Sequence, residues 1–152
     1  MKLKKSRIIS LGVFTSVLFG LWWGVPTYRK ANADAMVNEL CARDGGIKVY
    51  ETVKLPARRF DQYGVVRVPF ELKPDGDFYL KSENKWVVPY TNEGNISIAR
   101  ENYKLYRVTD GKLLGEVVTY VRRGGDPPSP AQPTYYRCPN DIGIEKKVFL
   151  RD

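Results

Sequence analysis

The feature that most constrains this chain is an uncharged stretch near its N-terminus. Residues 8–28 contain no charged side chain, and residues 1–7 are rich in lysine and arginine. A helix needs about 20 apolar residues to cross the hydrocarbon core of a bilayer. The stretch therefore predicts a transmembrane anchor at 8–28, preceded by a cytoplasmic basic tail at 1–7 and followed by a folded domain at 29–152.

A cleaved secretory signal peptide is the competing interpretation of the same residues. A basic start before an apolar stretch also describes such a signal, and Ala31-Asn32-Ala33 resembles a small-residue cleavage site. Against cleavage, the apolar stretch exceeds the usual length of about 7–15 residues, and the charged Arg29 and Lys30 follow it directly. The uncleaved anchor is favoured, and cleavage stays as the alternative.

The flanking charges and the small residues of this stretch predict its orientation and its contacts. The flank with the larger positive charge usually stays in the cytoplasm. Residues 1–7 form that flank, so the domain from residue 29 onward is expected in the periplasm or outside the cell. Four small residues recur at every fourth position, and this spacing permits close approach of two helices. They predict a helix-association face, and a homo-oligomer formed through it, at Gly12, Ser16, Gly20 and Gly24.

The two cysteines fit an oxidising compartment. Cys41 ends the first segment after the stretch and Cys138 lies near the C-terminus, and two cysteines outside the cytoplasm usually pair. We expect an intramolecular Cys41–Cys138 disulfide, with two free buried thiols or an intermolecular bridge as the alternatives. Because the chain has no C-x-x-C motif, a thioredoxin-like redox role has no support.

The remaining pattern predicts an α+β domain. Between residues 27 and 43, apolar residues recur on one helical face, namely Ala33, Met36, Val37, Leu40 and Cys41. Gly45-Gly46 supplies a C-terminal stop. The clearest later element is a hairpin that turns at Asp110-Gly111. Short connections between strands favour a mainly antiparallel sheet on which this amphipathic helix packs, closed by the disulfide. The predicted strands span residues 47–55, 65–72, 78–80, 85–90, 96–99, 103–109, 113–122 and 144–150.

The composition excludes several classes of site. The chain has 25 Lys+Arg, 17 Asp+Glu and no histidine, so histidine-dependent catalysis and histidine metal sites are ruled out. The alternation of basic and aromatic residues over 103–107 is that of a two-faced strand, and no nucleic-acid partner is predicted. We therefore predict no cofactor, no metal site and no catalytic residue. A carboxylate enzyme built on Glu51 with Tyr50, or on Glu116, is the alternative.

A proline-rich segment at 124–133 is the predicted recognition element. Its prolines exclude regular secondary structure, and a pre-ordered loop on a rigid scaffold is a common binding element. A plain connector is the alternative. The residues expected to contact a partner are Asp126, Pro127, Pro128, Pro130 and Pro133.

The segment Cys41-Ala42-Arg43-Asp44-Gly45-Gly46-Ile47-Lys48-Val49-Tyr50-Glu51-Thr52-Val53-Lys54-Leu55-Pro56 resembles part of small uncharacterised bacterial envelope proteins. That family has no assigned activity, so no catalytic residue carries over. The resemblance implies a bacterial source, and hence an inner-membrane anchor with a periplasmic domain. The predicted function is a membrane-anchored periplasmic module that binds another envelope protein. An immunity-like protein that neutralises a toxin at the membrane is the alternative within the binding class.

Overall fold

The computed structural model describes residues 2–73, 76–91, 95–126 and 134–152, with side chains from residue 12 onward. Helix α1 (Lys2–Asp44) comes first, a 3₁₀ turn (Ala57–Arg59) follows the second strand, and helix α2 (Glu145–Val148) precedes the last strand. The strands are β1 (Gly46–Val49), β2 (Val53–Leu55), β3 (Phe78–Val88), β4 (Ser97–Arg107), β5 (Leu113–Arg123), β6 (Tyr135–Cys138) and β7 (Phe149–Arg151).

Helix α1 joins the predicted anchor and the predicted amphipathic helix into one element, with Pro26 inside it. Among the described residues, no helix contains a segment long and apolar enough to cross a membrane. The predicted transmembrane anchor at 8–28 is therefore wrong, and so is the single-pass topology derived from it. The side chains of this stretch are described from residue 12 onward, and more than half of those at 12–28 are glycine, serine, threonine, proline, tryptophan or tyrosine, which add little to hydropathy.

The main sheet has five strands in the order β1-β5-β4-β3, with β6 also paired to β5, and its pairings are antiparallel. Strand β1 pairs with residues 115–118 of β5, and β6 pairs with residues 120–123. Because β4 occupies the other edge of β5, β1 and β6 lie end to end along the same edge. Strands β2 and β7 form a separate parallel pair. The predicted α+β fold with an antiparallel sheet is confirmed.

Two long strands replace four short predicted ones. The predicted strands 78–80 and 85–90 are both parts of β3, and most of 96–99 and 103–109 belongs to β4. Polar side chains in the centres of these strands interrupt the apolar alternation, while backbone pairing continues through them. Prediction from the alternation of apolar residues alone therefore ends these strands too early.

The other predicted elements have mixed outcomes. The hairpin turn at Asp110-Gly111 is confirmed, and Gly111 has a φ of 65°, which glycine adopts without strain. The predicted strand 47–55 is divided into β1 and β2. Residues 65–72 form no strand, and 144–150 contains α2 followed by β7.

The sheet buries side chains on both faces. On one face the C-terminal half of α1 contributes Ala33, Val37 and Cys41, which pack against Ile98 and Val118. The predicted packing of an amphipathic helix on the sheet is therefore confirmed, although Met36, expected on the buried face, is 39% exposed. The opposite face packs against the segment after β2, α2 and β7, in a core of Val66, Phe78, Leu80, Leu105, Leu114, Val117, Ile144, Val148 and Phe149.

The predicted disulfide is confirmed between Cys41 and Cys138, whose Cα atoms lie 5.9 Å apart. It joins the end of α1 to the end of β6, close to where β6 and β1 meet along β5. The hydroxyl of Thr119, which lies on β5 between the two paired segments, donates to the carbonyl of Cys138 at 3.1 Å. The disulfide thus ties the chain beyond the 124–133 segment to α1.

Candidate functional site

A cluster of polar side chains joins the two ends of the predicted recognition loop. Asp126 is described, whereas Pro127, Pro128, Pro130 and Pro133 lie outside the described residues. We define the loop base as residues 122–126 together with Thr134. Its contacts determine how the chain enters and leaves the predicted loop.

Asp126 connects both ends of the loop to α1. Its Oδ1 accepts hydrogen bonds from Lys30 Nζ at 2.7 Å and from the Thr134 hydroxyl at 2.8 Å, and its Oδ2 accepts from the Thr134 N–H at 2.6 Å. Partial burial alone would raise the pKa of Asp126, but the hydrogen bonds from Lys30 and Thr134 outweigh it and lower the pKa from 3.8 to about 2. The carboxylate is therefore ionised at neutral pH and holds three donors.

Arg122 supports the same base from the interior. Its side chain is 2% exposed and donates to Asp34 of α1, to the carbonyl of Gly124 and to the carbonyl of Thr134. The Gly124 N–H also donates to the Thr134 carbonyl at 3.2 Å. A buried guanidinium requires such partners, because an unpaired charge away from water is strongly unfavourable.

The α1 partners follow from helical geometry. Lys30 and Asp34 are four residues apart, so they lie on one face of the helix. On β5, the alternation of a strand places Arg122 on the same face as Val118 and Tyr120, which pack towards α1. The helix face and the strand face thus bring two opposite-charge pairs together at the loop base.

Gly125 allows the loop base to approach Ile96, the residue before β4, closely. Its φ is 85°, a conformation that side-chain-bearing residues rarely adopt. A Cβ atom added at Gly125 would lie 2.5 Å from Cγ1 of Ile96. A side chain at this position would therefore require the Ile96 side chain or the loop base to shift.

A groove of about 380 Å³ lies between α1, the β3–β4 connection and the loop base. Most of the surface that lines it is apolar. Arg29 supplies a cation that has no ion pair within the part of the chain that the structure describes. The groove can accept an apolar side chain next to a carboxylate. Its walls include Pro26, Arg29, Val88, Pro89, Ile96 and Asp126.

The predicted helix-association face lies on the part of α1 that precedes the sheet contact. A Cβ atom added at Gly12, Gly20 or Gly24 would have no neighbour within 4 Å. The Ser16 hydroxyl donates a hydrogen bond to the Gly12 carbonyl of the same helix. Association through this face stays a prediction. Large apolar side chains on the same part of α1 are exposed: Val13, Phe14, Val17, Leu18, Phe19, Leu21, Trp22, Trp23 and Val25.

The carboxylates considered for catalysis form ordinary ion pairs and hydrogen bonds. Hydrogen bonds from Lys112 and Arg107 lower the pKa of Glu51, just beyond the end of β1. Tyr50 donates to Glu116 at 2.8 Å, and this bond raises the pKa of Tyr50. No metal-binding group of three or more acidic or cysteine side chains occurs within the described ranges. The absence of catalysis stays a prediction.

Sequence reasoning missed Lys30, Asp34 and Arg122. Lys30 and Asp126 are 96 positions apart and Asp34 and Arg122 are 88 apart, so no local pattern relates them. One signal was present, because Arg122 occupies a strand position that continues the inward alternation of Val118 and Tyr120. A cation at such a position indicates a buried partner.

The segment 41–56, on which the resemblance to bacterial envelope proteins rests, spans the end of α1 and the strands β1 and β2. It contains one half of the disulfide and no part of the loop base. The resemblance stays a prediction. Comparison of the chain with protein-family models, with curated proteins and with solved structures gave no match.

Proposed function

We propose that this chain is a protein-binding module of an oxidising compartment such as the bacterial periplasm, and that a partner protein binds at the groove beside the loop base. The observation that carries the proposal is the fixed loop base next to an apolar groove. Binding costs less free energy when the contacting groups are already ordered in the free protein. Asp126 and Arg122 supply this order.

The exposed apolar side chains of α1 also favour a partner-binding surface at this groove. Pro26 and Arg29 belong both to α1 and to the groove wall, and exposed apolar side chains precede them on the same helix. Contiguous exposed apolar surface of this kind is typical of protein–protein contact sites. The partner that fits is a protein segment with an apolar side chain for the groove and a carboxylate for Arg29.

The disulfide supports the choice of compartment. Disulfides persist in secreted and periplasmic proteins and are rare where thiols are kept reduced. The Cys41–Cys138 bond also fixes the chain that follows the loop base. An oxidising compartment therefore favours the arrangement on which the proposed binding surface depends.

Site-specific photo-crosslinking in cells of the native host tests the proposal. A photoreactive phenylalanine analogue replaces Pro89 in the groove wall in one strain, and replaces Tyr63, which is 73% exposed and outside the groove, in the control strain. We expect one dominant protein adduct from position 89 that is absent from position 63. The same set of adducts from both positions, adducts to lipid alone, or none at all would contradict the proposal.

A further inference from the structure

A second groove, of about 590 Å³, lies where β3 begins and is separate from the loop base. Its wall comes from three parts of the chain: the 3₁₀ turn, the segment that follows it, and the residues that lead into β3. The side chains that matter for what it can bind are Arg59, Arg67, Val68, Pro69, Lys73 and Asp77.

The walls of this groove are attached to the sheet. The Leu80 N–H donates to the Pro69 carbonyl at 2.8 Å, which fixes the segment before β3 against that strand. The Val108 N–H donates to the Asp77 carbonyl at 2.8 Å. Phe78, which also lines the groove, is buried in the core. The groove is therefore part of the folded framework.

The charges of the groove are predominantly positive. Arg59 is paired with Asp77 at 2.7 Å, and this contact holds its guanidinium at the groove wall. Arg67 and Lys73 are exposed and have no ion pair within 4 Å among the residues that the structure describes. Apart from the longer-range attraction between Arg67 and Asp61, both cations are left to face a ligand, next to the half-buried surfaces of Val68 and Pro69.

We propose that this groove binds a small organic anion, whose carboxylate or phosphate contacts Arg67 and Lys73 while its apolar body lies on Val68 and Pro69. Arginine and lysine are the usual partners of both anionic groups, because charged hydrogen bonds are stronger than neutral ones. The apolar wall adds binding free energy only for a ligand with an apolar part. The proposal is independent of the partner proposed for the loop base.

Titration of the full-length chain with three probes tests this site by calorimetry. The probes are hexyl phosphate, inorganic phosphate and hexanol, which carry both features of the proposed ligand, the anion alone and the apolar part alone. We expect saturable binding of hexyl phosphate, weaker binding of inorganic phosphate and no binding of hexanol. Vesicles of phosphatidylglycerol form a fourth arm, because a lipid headgroup carries the same phosphate chemistry.

A matched pair of variants locates the binding. Arg67→Gln with Lys73→Gln removes the two unpaired cations, and we expect it to weaken hexyl phosphate binding about tenfold or more. Arg43→Gln with Lys85→Gln removes the same two kinds of charge from exposed positions elsewhere and should leave the affinity unchanged. All four positions are exposed, so both variants should have the same thermal unfolding temperature as the native protein.

Three results would overturn the proposal. No saturable binding of hexyl phosphate would show that the groove does not recognise an organic anion. Equal losses in both double variants would show a general charge effect. Binding to vesicles without binding to hexyl phosphate would place the interaction on a lipid surface instead of in the groove.

Discussion

Removal of the disulfide should cost this domain a large part of its stability. Cys41 and Cys138 are 97 positions apart, and loop-closure entropy for a ring of this size gives about 4–5 kcal/mol as an upper value. A typical domain is stable by about 5–15 kcal/mol. We therefore expect Cys41→Ala with Cys138→Ala to lower the free energy of unfolding by most of the about 4–5 kcal/mol that loop closure gives.

Urea unfolding at fixed pH measures this loss. The native protein, the native protein with its disulfide reduced, and the double alanine variant are compared by linear extrapolation to zero urea. The reduced protein is the matched control, because it keeps both sulfur atoms and lacks only the covalent bond. We expect the reduced protein and the double alanine variant both to be less stable than the native protein. The variant should be slightly less stable than the reduced protein, since Cys41 is 9% exposed and packs in the core.

A loss below about 1 kcal/mol in the reduced protein would refute the reasoning, because the disulfide would then not restrict the unfolded chain as loop-closure entropy requires. Hydrogen exchange gives a second reading. Protection should fall first in β6 and in the C-terminal turns of α1, which the disulfide joins. It should persist in β3 and β4, which pair along ten positions.

Three further predictions concern α1 and the loop base. The pKa of Asp126 is lowered to about 2 in the folded state, so its stabilising effect is complete above about pH 4 and is lost as the pH falls towards 2. We expect a loss of about 1–2 kcal/mol over that range after solvent screening, and urea unfolding between pH 2 and 6 should show a flatter profile for Asp126→Asn. Gly125→Ala should destabilise the protein by about 1–3 kcal/mol in thermal unfolding, because its Cβ meets Ile96 at a φ of 85°. Gly111→Ala is the control, since its φ of 65° adds strain but nothing lies within 4 Å of its Cβ, and equal losses in the two variants would show that the contact with Ile96 is unimportant. Gly20→Leu with Gly24→Leu should disperse any self-associated full-length chain in analytical ultracentrifugation, whereas an unchanged sedimentation coefficient would remove the predicted association face.

Two features of the fold were predictable from the sequence: one hairpin turn, from the residues in it, and the disulfide, from the compartment expected for the chain. The hairpin at Asp110-Gly111 follows from the conformations that this dipeptide prefers. The Cys41–Cys138 pairing follows from the presence of two cysteines in a chain expected outside the cytoplasm. Both features depend on a few residues and on no knowledge of the tertiary structure.

Features that depend on backbone pairing and distant contacts were not predictable in the same way. Strand β3 continues through residues 81–87, which are exposed, because β4 pairs with it along their length. The pairs Lys30–Asp126 and Asp34–Arg122 exist only because the sheet places β5 and the chain after it beside α1. The anchor prediction was wrong because the described side chains of α1 form no segment long and apolar enough to cross a membrane.

The yield of the partner adduct from a photo-crosslinker at Pro89 tests the central claim most directly when it is measured in three backgrounds. These are the otherwise native chain, Arg29→Gln in the groove, and Arg43→Gln on the same helix but outside the groove. We predict that the yield falls several-fold in Arg29→Gln and stays at the native level in Arg43→Gln. Equal yields in all three backgrounds would show that the groove does not hold the partner.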